Sequence, residues 1–202
     1  MTGGAEPSGP APEVLLLHHV QGLTEGVRAF ADGLRAGGLT VHTPDLFEGR
    51  TFGSIPDGFA YLESLGEGVA EERAAQAAAA LPERLAYVGI SLGAMIATRL
   101  AVTRPGAAAL VMLESAIPVV GEWAFGPFPP GVRVQAHGAE GDEFFQEDLP
   151  FAHEMVEALG PERAEVFLYP GDQHLFTDSS LPSYDAAATA LVTERVRAFL
   201  GR

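Results

Sequence analysis

Three residues in this chain have the types and spacing needed for acyl transfer: Ser91, Asp142 and His174. Ser91 lies in Gly89-Ile90-Ser91-Leu92-Gly93, a G-x-S-x-G pattern closing a short apolar run that begins at Leu85. In such a pattern the serine occupies a sharp, strained strand-to-helix turn. Glycine two residues to either side removes the Cβ atoms that would collide as strand and helix converge. A serine so placed stands at the amino end of a helix, where unpaired backbone N–H groups can hold a developing oxyanion. The pattern alone reads equally well as a small-residue turn between a buried strand and an Ala-rich helix. An acid and a histidine at later strand ends, in that order, decide between the two. The sequence supplies both. Asp142 ends His137-Gly138-Ala139-Glu140-Gly141-Asp142, and His174 ends Tyr169-Pro170-Gly171-Asp172-Gln173-His174. In a triad, His174 takes the Ser91 hydroxyl proton and returns it to the leaving group, while Asp142 fixes the imidazole tautomer.

The elements that must position these residues are legible as alternating patterns. Apolar runs at 13–18, 39–43, 85–90, 107–113, 132–137 and 165–169 read as strands, most of them buried on both faces. Between them lie helical patterns. Thr24 caps one that carries Val27, Phe30, Ala31 and Leu34 and stops at Gly37-Gly38. Asp57 is expected to cap a second, carrying Phe59, Leu62 and Leu65, which Gly66 and Gly68 separate from an Ala-rich helix at 69–81. Further helices are predicted at 92–103, 149–159 and, capped by Ser183, 184–200. The segment 115–131 holds four prolines and the only tryptophan and reads as loop. The alternation predicts an α/β fold: a mostly parallel sheet of about six strands covered on both faces, in one domain over 13–202. Ligands in such sheets bind outside the carboxyl ends of the strands, where all three candidates fall.

Composition narrows the function classes. The 202 residues, 47% apolar, suit one α/β domain with a substantial core. The absence of cysteine excludes disulfides, thiolate metal sites and a cysteine nucleophile. With 27 acidic against 12 basic residues the formal charge is −15, a surface that repels nucleic acid and anionic membranes. No apolar run approaches the roughly 18–20 residues that span a bilayer. The first 12 residues have no basic residue and no apolar h-region, so they are expected to be a disordered Gly/Pro-rich tail rather than a signal peptide, in a cytoplasmic protein.

The chain resembles the dienelactone hydrolase family of α/β-hydrolases over nearly all of 14–200. The carriers are His18-His19-Val20-Gln21-Gly22, Pro44-Asp45-Leu46-Phe47, the Ser91 elbow, the Asp142 and His174 loops with Leu175-Phe176, and the last helix. The resemblance implies a compact α/β-hydrolase fold without a large lid domain. It also implies cleavage of a small-molecule ester or lactone through an acyl-enzyme, without cofactor or metal. On it, the backbone N–H groups of Val20 and Leu92 form the oxyanion hole. Three departures stand out. The family's founding enzymes have a cysteine nucleophile where this chain has Ser91. They carry a glutamate at the place of His19. An arginine that binds the substrate carboxylate stands four residues after the triad histidine, at the place of Asp178. Fold and ester-cleaving chemistry therefore carry over better than the substrate.

Other candidates have blander readings beside the functional ones. Glu140 and Glu114 are alternative acids, Glu114 more simply a pocket-lining residue; Asp172 most simply shapes its turn. His18 and His19 are adjacent on a strand end and point to opposite sides, and no third ligand completes a metal set. His18 reads as structural, and His42 and His153 as ordinary fold residues. His137 is expected beneath Asp142. His19, Gln21, Trp123 and Phe144 are candidate substrate contacts, with Phe125, Phe128 and Phe145 as possible apolar neighbours. A thioesterase or acyltransferase would use the same triad, and a non-catalytic binding protein on this scaffold is the alternative from another class. Oligomeric state is not readable from the sequence.

Overall fold

The computed structural model describes residues 11–201. The expected N-terminal tail lies outside the described residues except for Ala11 and Pro12, and Pro12 is buried at the foot of the first strand.

Six strands form one parallel sheet: β1 (Glu13–Leu17), β2 (Val41–His42), β3 (Leu85–Ile90), β4 (Ala107–Leu113), β5 (Arg133–Ala139) and β6 (Ala164–Tyr169). Their spatial order is β2-β1-β3-β4-β5-β6. The central strands are apolar on both faces because both faces are covered. In β1, Val14 and Leu16 enter one core while Leu15 and Leu17 enter the other. The first core is closed by α1 (Glu25–Ala36) and α6 (Ala186–Leu200), through Val27, Phe30 and Leu34 against Val192, Val196 and Phe199. The second is closed by α3 (Val69–Ala79), α4 (Leu92–Thr103) and α5 (Glu143–Leu159). An additional helix, α2 (Ile55–Leu65), precedes α3. Among the described residues no helix is long and apolar enough to cross a membrane.

The strand order reverses between β1 and β3. Chain segments leaving these two neighbours diverge, which opens a crevice at their carboxyl ends. That crevice is where Ser91 emerges.

Besides shifts of one or two residues at other element ends, four differences from the sequence expectation stand out. The strand expected over 39–43 is only two residues long, an edge strand paired through Val14–Val41 and Leu15–His42. Helix α2 is capped by Ser54, not Asp57. Ser54 Oγ accepts the Asp57 N–H and donates to the Asp57 carboxylate, while Pro56 occupies the first turn, where its missing N–H costs nothing. Helix α6 is capped by Asp185 rather than Ser183, its Oδ1 accepting from the N–H groups of Ala187 and Ala188. Helix α5 begins at Glu143, six residues earlier than 149, because Asp142 caps it and Pro150 is carried inside it.

Candidate active site

The turn at Ser91 shows why both elbow glycines are needed. A Cβ on Gly89 would overlap the Gly93 carbonyl, and one on Gly93 would overlap the Leu17 carbonyl at the end of β1. Strand β3, helix α4 and strand β1 are thus drawn together backbone to backbone. Ser91 itself takes φ 51° and ψ −112°, a conformation that costs about 1–3 kcal/mol for a residue with a side chain. It is held there by its N–H donating to the Leu113 carbonyl at 2.8 Å and its own carbonyl accepting from Ala94 at 2.8 Å. Its side chain caps no backbone group of α4, so the hydroxyl is left to face other partners.

Those partners come from the two strand ends furthest along the sheet. Asp142 follows β5 and is almost wholly buried. Its Oδ1 accepts the Phe144 N–H at 3.1 Å as the cap of α5, and its Oδ2 lies 2.7 Å from His174 Nδ1. His174 follows β6, and its Nε2 lies 3.0 Å from Ser91 Oγ. The loops carrying the two residues are tied to each other, Glu140 N–H to the Tyr169 carbonyl and Gly141 N–H to the Gly171 carbonyl, both at 2.8 Å. With Nδ1–H donating to the carboxylate, the Nε2 lone pair faces the serine hydroxyl. The next residue, Leu175, has φ 59°, and Glu114 beside the site has φ 59°, so three strained non-glycine positions converge here.

A cavity of about 210 Å³ opens over Ser91 and His174, lined also by Glu114, Ile117, Phe144 and Asp148. The Phe144 ring leans on His174 with centroids 4.6 Å apart. Asp148 accepts from Ser115 Oγ at 2.6 Å and from the Ala116 N–H at 2.9 Å, clamping the loop after β4. Sequence reading missed Asp148, Met95 and Ile117; an α5 that starts earlier is the signal for Asp148, and Met95 on α4 and Ile117 after β4 carry none. A larger groove of about 650 Å³ shares Leu92 and Met95 with this cavity and runs along α2.

The remaining sequence candidates lie elsewhere. His19 is fully buried and both ring nitrogens are engaged: Nδ1 accepts the Gln21 N–H at 3.1 Å and Nε2 meets Asp178 Oδ2 at 2.8 Å. Gln21 turns away to donate to the Phe52 carbonyl. Trp123 is 74% exposed and lines neither space; Phe128 lines a separate pocket, Phe125 lies under the Arg99 guanidinium, and Phe145 is buried against Gly138. These residues therefore do not meet a ligand at Ser91, whereas Phe144 borders it. Glu140 is exposed, and the exposed Asp172 carboxylate accepts from its neighbour Gln173. His137 does not reach Asp142: its ring bonds Tyr169 Oη and Gln135 and stacks on Phe167, and burial pulls its pKa down to about 3. His18 is likewise structural. Burial lowers it to about 4, and the neutral ring accepts the Leu46 N–H through Nε2 while Nδ1 meets the His19 carbonyl.

Asp178 is held by a network. Burial alone would raise its carboxyl, but hydrogen bonds from His19, Ser180 and Thr24 outweigh that and bring it to about 2. Glu114 is the opposite case. Burial raises its carboxyl above the ordinary value, opposed by nearby His174 and by the Thr177 N–H that Oε1 accepts at 2.8 Å; among the described residues Oε2 has no partner.

This sheet order, with a strained serine after the strand next to the reversal, defines an α/β-hydrolase fold. The chain belongs to the dienelactone hydrolase family, whose model matches residues 2–202. No curated protein sequence matches it significantly. Among solved structures it is similar to a candidate dienelactone hydrolase from Klebsiella pneumoniae, at 21% identity and TM-score 0.72, covering 98% of this chain and 90% of that one. It is also similar to a dienelactone hydrolase-like promiscuous phosphotriesterase from metagenomic libraries, at 20% identity and TM-score 0.71, covering 96% and 87%. A carboxyl esterase from the mycorrhizal fungus Tuber melanosporum matches at 14% identity and TM-score 0.67, covering 97% and 79%. Family and fold support a hydrolase.

Proposed function

We propose that the protein is a serine hydrolase that cleaves a small-molecule carboxylic ester or lactone through an acyl-enzyme on Ser91. The observation that carries the reading is the continuous relay from Asp142 Oδ2 through the His174 ring to Ser91 Oγ, with steps of 2.7 Å and 3.0 Å. Ser91 Oγ attacks the carbonyl carbon as its proton passes to His174 Nε2, and Asp142 stabilises the imidazolium. The resulting oxyanion is held by the backbone N–H of Leu92, which as the first residue of α4 has no carbonyl partner within the helix, together with that of Val20. Collapse of the tetrahedral intermediate expels the alcohol, which takes the proton from His174. A water, deprotonated by the same nitrogen, then releases the acid. A thiol leaving group or an alcohol acceptor would use the same steps, so thioesters and acyl transfer belong to the same test.

Labelling with a fluorophosphonate probe tests the nucleophile. The wild-type protein is expected to label and to hydrolyse p-nitrophenyl acetate, and Ser91→Ala to do neither. A folded wild-type protein that neither labels nor hydrolyses would mark a binding protein on a hydrolase scaffold instead.

A further inference from the structure

The groove of about 650 Å³ beside the catalytic cavity falls within the usual size of a site for a small organic ligand. It is bordered by Leu92 and Met95 of α4, the same two residues that border the Ser91 cavity, so the two spaces meet at these side chains. Its far wall is the outer face of α2, with Phe59 half-exposed and Ala60 beside it. Helix α2 also abuts the loop after β1: a Cβ on Gly58 would overlap the Val20 carbonyl. Three carboxylates, Glu63, Glu67 and Glu71, line the groove, and among the described residues no arginine does. The protein has no lysine at all.

The two spaces differ in one respect that assigns them. His174 borders the smaller cavity and not the groove. Its Nε2 must deliver a proton to the departing oxygen, so the leaving group lies on the His174 side of Ser91. The acyl arm, attached to the same carbonyl carbon, is left to run the other way across Leu92 and Met95. An apolar border with a flexible methionine accepts alkyl chains of varied shape. The glutamates raise the negative potential for any chain ending in an anion.

We propose that the groove between α2 and α4 is the acyl-arm site of this hydrolase, and that it takes an uncharged or cationic medium-length chain while rejecting an anionic one. This rests on Ser91 being the nucleophile. It points away from substrates bearing a carboxylate on the acyl side.

The test compares kcat/KM for p-nitrophenyl acetate, butyrate, hexanoate and hemisuccinate, and for the 4-(trimethylammonio)butyrate ester. Burial of added methylenes predicts a hexanoate-to-acetate ratio of at least about 10. Ala60→Trp, which fills the groove from the surface of α2, is expected to lower that ratio about tenfold, with an unchanged melting temperature as its folding control. Replacing Glu63, Glu67 and Glu71 together by Gln is expected to lower the ratio of cationic to anionic ester by about tenfold or more. Acetate hydrolysis with a flat chain-length profile, or ratios unmoved by both variants, overturns the groove and leaves the nucleophile standing. Failure of every ester and of fluorophosphonate labelling overturns the nucleophile, and the acyl-arm site falls with it. Calorimetry on Ser91→Ala gives an independent reading. Octyltrimethylammonium should bind and lose affinity with Ala60→Trp, whereas equal binding of octanesulfonate overturns the charge selection.

Discussion

The ring of His19 and the carboxylate of Asp178 form a pair with no solvent exposure on either side chain, Nε2 to Oδ2 2.8 Å apart. Asp178 lies four residues beyond His174, and His19 immediately precedes Val20. The pair therefore joins the loop that bears the proposed oxyanion donor to the loop that bears the proposed base. Thr24 and Ser180 complete the carboxylate's partners. Asp178→Ala leaves several buried donors without an acceptor and is expected to cost about 3 kcal/mol or more in a denaturant melt. Asp178→Asn keeps part of the network, so it should fold while kcat/KM falls at least about tenfold through the displaced Val20 N–H. Unchanged turnover in a folded Asn variant would show that the pair is purely structural.

The same network makes a helix glycine obligatory. Gly26 is inside α1, where replacing glycine by alanine ordinarily stabilises by about 1 kcal/mol. Here the new Cβ would overlap Asp178 Oδ1 and crowd the Ser179 backbone. Steric overlap wins over propensity, so Gly26→Ala is expected to lower the melting temperature, by several degrees. A rise in melting temperature would show that the Asp178 loop gives way easily.

Stability should fall toward acid from well above the carboxylate range. His18 and His137 are neutral in the fold, lowered from 6.5 to about 4 and about 3 by burial. Their contribution is present above 6.5 and is lost as pH falls through those lower values, because the unfolded chain takes up protons the fold refuses. Asp178, lowered from 3.8 to about 2 despite its burial, adds a further loss below about 4. The measurement is melting temperature against pH, and a flat profile between about pH 7 and about pH 4 would contradict the buried neutral imidazoles.

Glu114 carries the opposite sign. Burial raises its folded-state value, so its contribution is full below 4.5 and is lost as pH rises through the raised value. Glu114→Gln keeps an oxygen for the Thr177 N–H and removes the ionisation. The variant is expected to melt higher than wild type above neutral pH and to match it near pH 4. A variant that melts lower at every pH would mean that the carboxylate has a partner of greater worth than its desolvation.

Much of the candidate site was legible because its residues fall in short motifs with steric reasons. The glycines flanking Ser91 are forced by backbone contacts to Gly93 and Leu17, and the sheet follows from apolar runs buried on both faces. Helix starts were less legible. Asp57, Ser183 and Pro150 all suit a first turn, and the neighbouring Ser54, Asp185 and Asp142 supply the observed caps. Contacts between distant segments left no local signal. Nothing in Asp178 or His19 alone announces their pairing across 159 positions, nor does the sequence show that Phe59 and Met95 border one groove while Trp123 faces solvent.

Asp142 does two jobs with two oxygens, and this separates stability from the proposed mechanism. Oδ1 caps α5 by accepting from Phe144, and Oδ2 meets His174 Nδ1 at 2.7 Å. Asparagine caps helices about as well as aspartate, so Asp142→Asn should change stability by less than about 1 kcal/mol. Its amide can present an N–H where the carboxylate accepted one, which favours the wrong imidazole tautomer and places a proton on the nitrogen facing Ser91. In a serine triad that exchange lowers kcat by roughly 10⁴-fold. Asp142→Ala removes both functions and should lose about 1 kcal/mol of stability as well. Thermal melts alongside p-nitrophenyl ester kinetics distinguish the two effects. If Asp142→Asn retained full turnover, Asp142 would be only a helix cap, and the acid that serves His174 would have to be sought in Glu114.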